Sequence, residues 1–135
     1  MARYNNPAMA QLSRQQVRYA PRSERLKQIE RAERFVDPLH PERFYAYQDV
    51  CEELTGYRSE KYPDLKLTGG EVVRDLRCLV EDLSDSLDLS TADVGEPVLS
   101  VLDVATRFQV STKTVDRWRD RGLVSRRFVV DGRKR

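Results

Sequence analysis

The stretch of sequence that decides the fold is SVLDVATRFQVSTKTVDRWRDRGLV, residues 100–124. In its first half, apolar residues recur at positions i, i+3, i+4 and i+7, which is the spacing of one helix face. These residues are Val101, Val104, Ala105 and Phe108. Ser100 precedes them and is a residue type that caps helix N-termini. The pattern predicts a short helix that begins after Ser100 and ends near Gln109.

A second helix is predicted after a turn at residues 109–110. Ser111 is its expected N-cap. Val115 and Trp118 lie three residues apart, on one helix face, and are expected to point inward. Gly122 is a residue type that ends helices, because it tolerates a positive φ angle. Two short helices joined by a tight turn indicate a helix-turn-helix.

A β-hairpin is predicted after the second helix. Phe128, Val129 and Val130 have strand character, and Asp131 followed by Gly132 is a strong signal for a two-residue turn. The return strand would consist only of the three basic residues that follow, and an isolated hairpin is marginal even when complete. We therefore expect the chain to be a fragment of a longer protein or to end in a degenerate hairpin.

The second helix and the hairpin place cations and hydroxyl groups where a protein that reads duplex DNA needs them. Ser111 and Thr112 can donate hydrogen bonds to a phosphate, and Arg117 can bind a guanine edge through two hydrogen bonds. Asp116 and Asp120 count against phosphate contact, although Asp116 could accept from cytosine N4 or orient Arg117. The predicted DNA-binding residues are Ser111, Thr112, Lys113, Thr114, Arg117, Arg126, Arg127, Arg133, Lys134 and Arg135.

The order of these residues resembles the winged helix-turn-helix of MerR regulators and phage excisionases. The matching positions are Val104, Ala105, Val110, Ser111, Thr114, Arg117, Trp118, Gly122 and Leu123. The resemblance implies that the second helix enters the major groove and that the hairpin, or wing, grips the DNA backbone. This sequence departs from the family pattern at Gln109, where glycine is common, and in its short wing. Charge alone would equally fit a helix pair with a solvated cationic surface.

The charge distribution separates three parts of the chain. The net charge of +2 combines +5 over residues 1–34, −9 over residues 35–100 and +6 over residues 101–135. DNA would repel the acidic middle and attract the basic ends. The C-terminal charge therefore supports the interpretation of the helix-turn-helix as a duplex-binding unit.

We expect a mainly α fold in four parts. Residues 1–22 lack a sustained apolar stripe and are expected to form a flexible basic arm. Residues 23–88 are expected to form an acidic helical bundle, and residues 89–98 a linker. Residues 99–135 are the winged helix-turn-helix with an incomplete wing.

The bundle has its clearest helix after Thr68. Thr68 and Glu71 have the spacing of a capping box, in which each residue satisfies a backbone N–H of the other. Ser23 is the expected cap of an earlier helix, which Pro38 ends, and Gly56 is expected to end another. The apolar stripe of the long helix comprises Val72, Val73, Leu76, Leu79, Val80, Leu83 and Leu87.

The upstream part carries a second resemblance. Residues 15–26, 54–58 and 80–84, followed by the helix-turn-helix, are similar to the N-terminal extension of certain bacterial RNA polymerase sigma factors. In those proteins the regions that bind core polymerase and promoter come later, and they are not among these 135 residues. The resemblance implies an accessory DNA-binding extension that does not act as a sigma factor alone, with RNA polymerase as a further candidate partner.

The sequence lacks the patterns of an enzyme or a metal site. His40 is the only histidine, has no ligand-type residue at metal spacing, and has no acid and serine with which to form a triad. Glu81 and the acids around it fit a solvated helix face. Cys51 and Cys78 are too few and too far apart for a disulfide framework and are expected to be buried thiols. We expect no catalysis, no cofactor, no metal and no small-molecule substrate.

Location and partners follow from the same patterns. No run approaches the roughly 18 apolar residues of a membrane span, and the start of the chain has no signal-peptide core. We expect a cytoplasmic protein whose partner is double-stranded DNA, with no membrane partner. Four tyrosines of the middle are expected to pack internally or, alternatively, to form a docking surface: Tyr45, Tyr47, Tyr57 and Tyr62. The alternative function is a protein-interaction module that binds a basic partner, with a vestigial helix-turn-helix.

Overall fold

The computed structural model describes residues 3–89, 99–130 and 133–134. These residues form a mainly helical fold, as the sequence predicts, with two short antiparallel strand pairs. The elements in chain order are α1 (Pro7–Tyr19), α2 (Arg22–Phe35), β1 (Phe44–Ala46), α3 (Tyr47–Thr55), β2 (Lys66–Thr68), α4 (Gly69–Leu87), α5 (Val101–Arg107), α6 (Thr112–Asp120), β3 (Val129–Val130) and β4 (Arg133–Lys134).

Residues 7–19 form a packed helix, which contradicts the expectation of a flexible arm for this part of residues 1–22. Helix α1 begins after Asn6, whose side chain accepts a hydrogen bond of 2.8 Å from the backbone N–H of Ala8. Met9 and Leu12 are buried against the rest of the bundle. The apolar stripe of α1 is short and surrounded by glutamine and arginine, so only its packing on α4 explains why this helix is stable.

Helix α4 is the centre of the bundle. Its capping box is confirmed: the N–H of Glu71 donates to Thr68 Oγ1 over 3.2 Å, and the N–H of Thr68 donates to Glu71 Oε1 over 3.1 Å. The predicted stripe is buried throughout. Helices α1 and α2 both pack against α4, so the three helices share one hydrophobic core.

The start of α2 corrects the sequence prediction, and the end of α3 confirms it. Helix α2 begins at Arg22, and Pro21 occupies the N-cap position without a side-chain hydrogen bond, so the prediction of Ser23 as the cap was wrong. A proline just outside a helix start already fixes a suitable φ angle. Gly56 ends α3 at φ +81°, which confirms the predicted left-handed position.

A strand pair in the bundle was not predicted. Strand β1 pairs with β2 antiparallel, with Tyr45 opposite Leu67. Three-residue strands carry too little alternation to be recognised from sequence. The pair brings the start of α4 against the loop at His40, where a Cβ on Gly69 would lie 2.0 Å from the carbonyl oxygen of His40. Glycine is therefore required at position 69 for this close approach.

The helix-turn-helix forms where the sequence predicts it. Ser100 caps α5 in a capping box with Asp103, and Ser111 caps α6 by accepting from the N–H of Thr114. The turn is closed by a 2.9 Å hydrogen bond from the N–H of Val110 to the carbonyl of Ala105. Val115 is buried, as predicted.

Two side chains of this unit differ from expectation. Phe108 was expected to point inward, but its side chain is 60% exposed and contacts the ring of Trp118 edge-on at 5.8 Å between centroids. Phe108 is the C-cap residue of α5, so its side chain lies at the end of that helix. Gln109 takes φ +56° in the turn, a left-handed conformation that glycine adopts without strain.

The C-terminal unit packs on the bundle. Phe128 belongs to the bundle's core, and Leu89, expected to lie in a linker, is buried there. The N–H of Arg127 donates to Ser84 Oγ over 2.8 Å, and the N–H of Val129 donates to the carbonyl of Leu89 over 2.7 Å. Strands β3 and β4 pair antiparallel as predicted. The remaining linker residues 90–98, the turn residues 131–132 and Arg135 lie outside the described residues.

Candidate nucleic-acid interface

Helix α6 presents one side to solvent, and this side carries the predicted DNA-binding residues. Thr112, Lys113 and Arg117 are exposed, whereas Val115 is buried and Trp118 is half-buried. Lys113 and Arg117 form no ion pair with any other described residue. Two cations of this helix therefore remain available to a ligand.

The hydroxyl groups at the start of α6 are engaged in the helix cap. Ser111 Oγ accepts from the N–H of Thr114 over 3.2 Å and lies 3.1 Å from Thr114 Oγ1. The backbone N–H groups of Thr112 and Lys113, the first two residues of α6, have no acceptor within the helix. In this arrangement the backbone rather than the Ser111 and Thr114 hydroxyls offers the stronger donors to an anion.

The two acidic residues of α6 are neutralised by arginines. Asp116 forms an ion pair with Arg119 over 3.2 Å. Asp120 forms a close ion pair with Arg77 of α4. From the sequence, both carboxylates counted against DNA contact at their own positions. Their pairing leaves the exposed side of α6 with a net positive charge.

Arginine 121 was not predicted as a site residue. It follows α6 directly, is exposed, and forms no ion pair within the described part of the chain. Lys113 and Arg117 stand at i and i+4 on α6, and Arg121, the C-cap residue, follows at i+8, so the three lie along one side of the helix and its C-terminal end. We refer to these three residues as the cation row. Their spacing is the signal in the sequence that could have identified Arg121.

The cations near the wing differ from one another in their surroundings. Arg126 was expected to contact DNA, but its guanidinium forms hydrogen bonds of 2.8 Å and 2.7 Å with the carboxylate of Glu33 in α2. That expectation is corrected, because this side chain is held against the bundle. Arg127 is exposed. Arg133 and Lys134 form β4, and Arg135 lies outside the described residues.

Glu81 of α4 joins α6 to the bundle. Its side chain is only 7% exposed and contacts three arginines. Arg3 lies 2.7 Å and Arg77 3.4 Å from its carboxylate oxygens, and Arg119 of α6 forms a close contact with it. The sequence predicted a solvated acidic face here, but the fold buries this carboxylate among cations. The position of α6 is therefore fixed by charge pairing as well as by apolar packing.

Metal binding and thiol reactivity are the other candidate chemistries of the described residues. No group of three or more His, Cys, Asp and Glu side chains there could hold a metal ion. A groove of about 520 Å³ lies between α1 and the segment after α3. Cys51 lines the groove, and its burial raises the pKa of the thiol, which keeps it protonated and unreactive.

The tyrosines of the bundle divide into packed and exposed side chains. Tyr47 is buried and contacts Tyr62 edge-on at 5.4 Å between ring centroids, which agrees with internal packing. Tyr45 is half-buried. Tyr57 is 81% exposed and takes no part in the core.

No protein-family model, no curated protein and no solved structure matches the chain. Among the described residues, none of the helices has the length and apolar character needed to cross a membrane.

Proposed function

We propose that this chain binds duplex DNA through α6, with the cation row facing the DNA. The observation that carries the proposal is the contrast between charges on this helix. Both carboxylates and Arg119 are paired within the protein, whereas Lys113, Arg117 and Arg121 are exposed and unpaired among the described residues. Internal packing does not account for three exposed cations along one side of α6 and its C-terminal end.

The row suggests a division of roles along the helix. Arg117 stands in the middle, where a helix lying in the major groove comes closest to base edges, and its guanidinium can bind guanine O6 and N7 together. Lys113 and Arg121 stand one turn to either side and would contact phosphates. Phosphate contacts supply affinity and position, while the central arginine supplies base preference.

The proposed biological role is in bacterial transcription, in the cytoplasm. The similarity to sigma-factor extensions supports a chain that adds a DNA contact to a larger transcription complex. In such a complex a single helix-turn-helix does not need high affinity alone, because the other contacts raise its effective concentration on DNA.

Fluorescence anisotropy with a labelled duplex, measured across salt concentrations, tests this function. We expect salt-sensitive binding that Arg117→Ala weakens while also reducing discrimination between duplex sequences. Arg18→Ala is the matched control, because it removes the same charge from an exposed position on α1. Absence of binding at low salt by the folded protein would overturn the proposal.

A second candidate function is an interaction module for a basic protein partner. The observation that favours it is Glu53 on the exposed side of α3, which forms no ion pair among the described residues, whereas Asp49 and Glu52 pair with Arg58. The ring of Tyr57, shortly after α3, is 81% exposed. RNA polymerase is the candidate partner. Co-purification of the full chain with polymerase, lost in Glu53→Lys and retained in Arg117→Ala, would support this function instead of DNA binding.

A further inference from the structure

The C-terminal end of the cation row meets helix α4 of the acidic bundle. Arg77 of α4 pairs with Asp120, the last residue of α6. Four residues earlier on α4, Val73 faces the glycine that follows α6: a Cβ on Gly122 would lie 3.8 Å from Val73 Cγ1. These two contacts hold one turn of α4 directly against the end of α6.

Arg74 lies within that turn and is exposed. It stands between Val73 and Arg77 in the sequence, and residues three apart on a helix are surface neighbours, with Cβ atoms about 5–6 Å apart. Its side chain forms no ion pair with any other described residue. Arg74 is therefore a surface neighbour of Arg77 on α4, in the turn that contacts the end of α6.

The pairing of Arg77 with Asp120 affects the charge at this point. An unpaired carboxylate at the end of the row would repel a DNA phosphate that approached Arg121 or Arg74, by an amount that depends on distance and local dielectric. Arg77 neutralises that carboxylate from the bundle side. The surface formed by Arg74, Arg121 and the paired Asp120 is then positive overall.

We propose that Arg74 is a DNA-phosphate contact supplied by the acidic bundle, and that Arg77 is a positioning residue that neutralises Asp120 so that this contact can form. The inference rests on the proposed function of α6. It assigns part of the DNA-binding surface to a helix outside the helix-turn-helix, in a region whose net charge of −9 would indicate repulsion. The contact is to the sugar–phosphate backbone, so it adds affinity without base preference.

Binding titrations of full-length variants on one duplex test the inference. Arg74→Ala is expected to weaken binding about three- to tenfold near physiological salt and to reduce the slope of log K against log salt by about 1, with unchanged base preference. Arg18→Ala, the exposed arginine on α1, is the charge-matched control and is expected to leave both quantities closer to those of the wild type.

A double-mutant cycle tests the role of Arg77. Arg77→Ala alone is expected to weaken binding, because it leaves Asp120 unpaired near the phosphates. Asp120→Asn is expected to have little effect in the wild type and to restore most of the affinity in the Arg77→Ala background. Thermal unfolding of each variant separates this charge effect from a loss of folded protein, since a merely structural role of Arg77 would not be rescued by Asp120→Asn.

The outcomes distinguish the two proposals. If Arg117→Ala weakens binding while Arg74→Ala binds as the wild type does, the proposed phosphate contact of Arg74 is wrong. The proposal that α6 binds DNA is then retained. If Asp120→Asn fails to restore Arg77→Ala, the neutralising role of Arg77 is wrong. If the wild type does not bind duplex DNA at low salt, the proposed function fails and the contact fails with it.

Discussion

Arg126 and Glu33 lie 93 positions apart in the sequence and form a two-pronged ion pair, with N–O distances of 2.8 Å and 2.7 Å. The pair joins the segment after α6 to helix α2. It also removes one predicted DNA-binding cation from the surface and one carboxylate from the acidic bundle. Glu33, an acidic residue of the bundle, thus helps to hold the basic C-terminal unit in place.

This ion pair predicts that Arg126 contributes to the stability of the fold but little to DNA affinity. Arg126→Ala is expected to lower the free energy of unfolding by about 1–2 kcal/mol, because it leaves a partly buried carboxylate without its charged donor. Its effect on DNA affinity should be small. The neighbouring Arg127 is exposed, so Arg127→Ala is the matched control and should leave stability nearly unchanged. Denaturant unfolding and anisotropy check the two quantities, and equal destabilisation by both variants would contradict the assignment.

Gly122 is predicted to be the most sensitive glycine at a helix end. Its φ of +124° strains any other residue, and a Cβ there would lie 3.2 Å from Val36 Cγ1. Gly122→Ala should therefore lower the free energy of unfolding by about 2 kcal/mol or more. Gly56→Ala is the matched control, because Gly56 has φ +81° and no atom within 4 Å of an added Cβ. Denaturant titration should show a smaller loss for Gly56→Ala, and the reverse order would contradict the close contact between α6 and the bundle.

Gln109 is predicted to be a site of stored strain in the turn. It adopts φ +56°, a left-handed conformation that is unfavourable for residues with a Cβ. Gln109→Gly should raise the stability of the helix-turn-helix by up to about 1 kcal/mol, since relief of strain outweighs the greater entropy of the unfolded chain. Gln109→Ala keeps the strain and serves as the control. Thermal unfolding would contradict this view if glycine were no more stable than alanine at this position.

Asp75 is predicted to make stability depend on pH. Its side chain is fully buried on α4 and accepts hydrogen bonds from the backbone N–H groups of Asn5, at 2.6 Å, and Asn6, at 3.1 Å. Burial raises the pKa of this carboxyl group to about 6, and the two backbone donors oppose that rise only in part. The folded state then binds a proton more tightly than the unfolded state.

The direction of the pH dependence follows because the pKa of Asp75 is higher in the folded protein than in the unfolded chain. Between about pH 4 and pH 6 the folded protein holds the proton while the unfolded chain has lost it, so the contribution of Asp75 to stability falls as pH rises, by at most about 3 kcal/mol. Asp75→Asn cannot ionise and should gain stability relative to the wild type over this interval. Parallel pH profiles of the two proteins in denaturant unfolding would show that the carboxyl group is not shifted.

The local features of the fold could be predicted because their physical causes lie within a few residues. The capping box of Thr68 and Glu71, the cap of α6 at Ser111 and the helix end at Gly56 each depend on hydrogen bonds or φ angles over at most three or four positions. The exposed side of α6 was also predictable, because helix periodicity assigns Val115 to the interior and Lys113 and Arg117 to the exterior.

The candidate site could be predicted only in part. The sequence identified Lys113 and Arg117, and Arg121 was recoverable from the same spacing. It could not show that Arg126 pairs with Glu33, or that Asp120 is neutralised by Arg77, 43 positions earlier. Whether a charged side chain is available to a ligand depends on the partner that the fold brings to it.

The sequence by itself therefore determined the N-caps of α4, α5 and α6, the end of α3, the apolar face of α4, and that the C-terminal unit is a helix-turn-helix. The tertiary structure decided that residues 7–19 form a packed helix, that the helix-turn-helix is joined to the bundle through Glu81 and Glu33, and which cations remain unpaired. The reason is that hydrogen bonds of caps and turns act between near neighbours in the chain. Burial and ion pairing depend instead on three-dimensional proximity, which one helix alone does not specify.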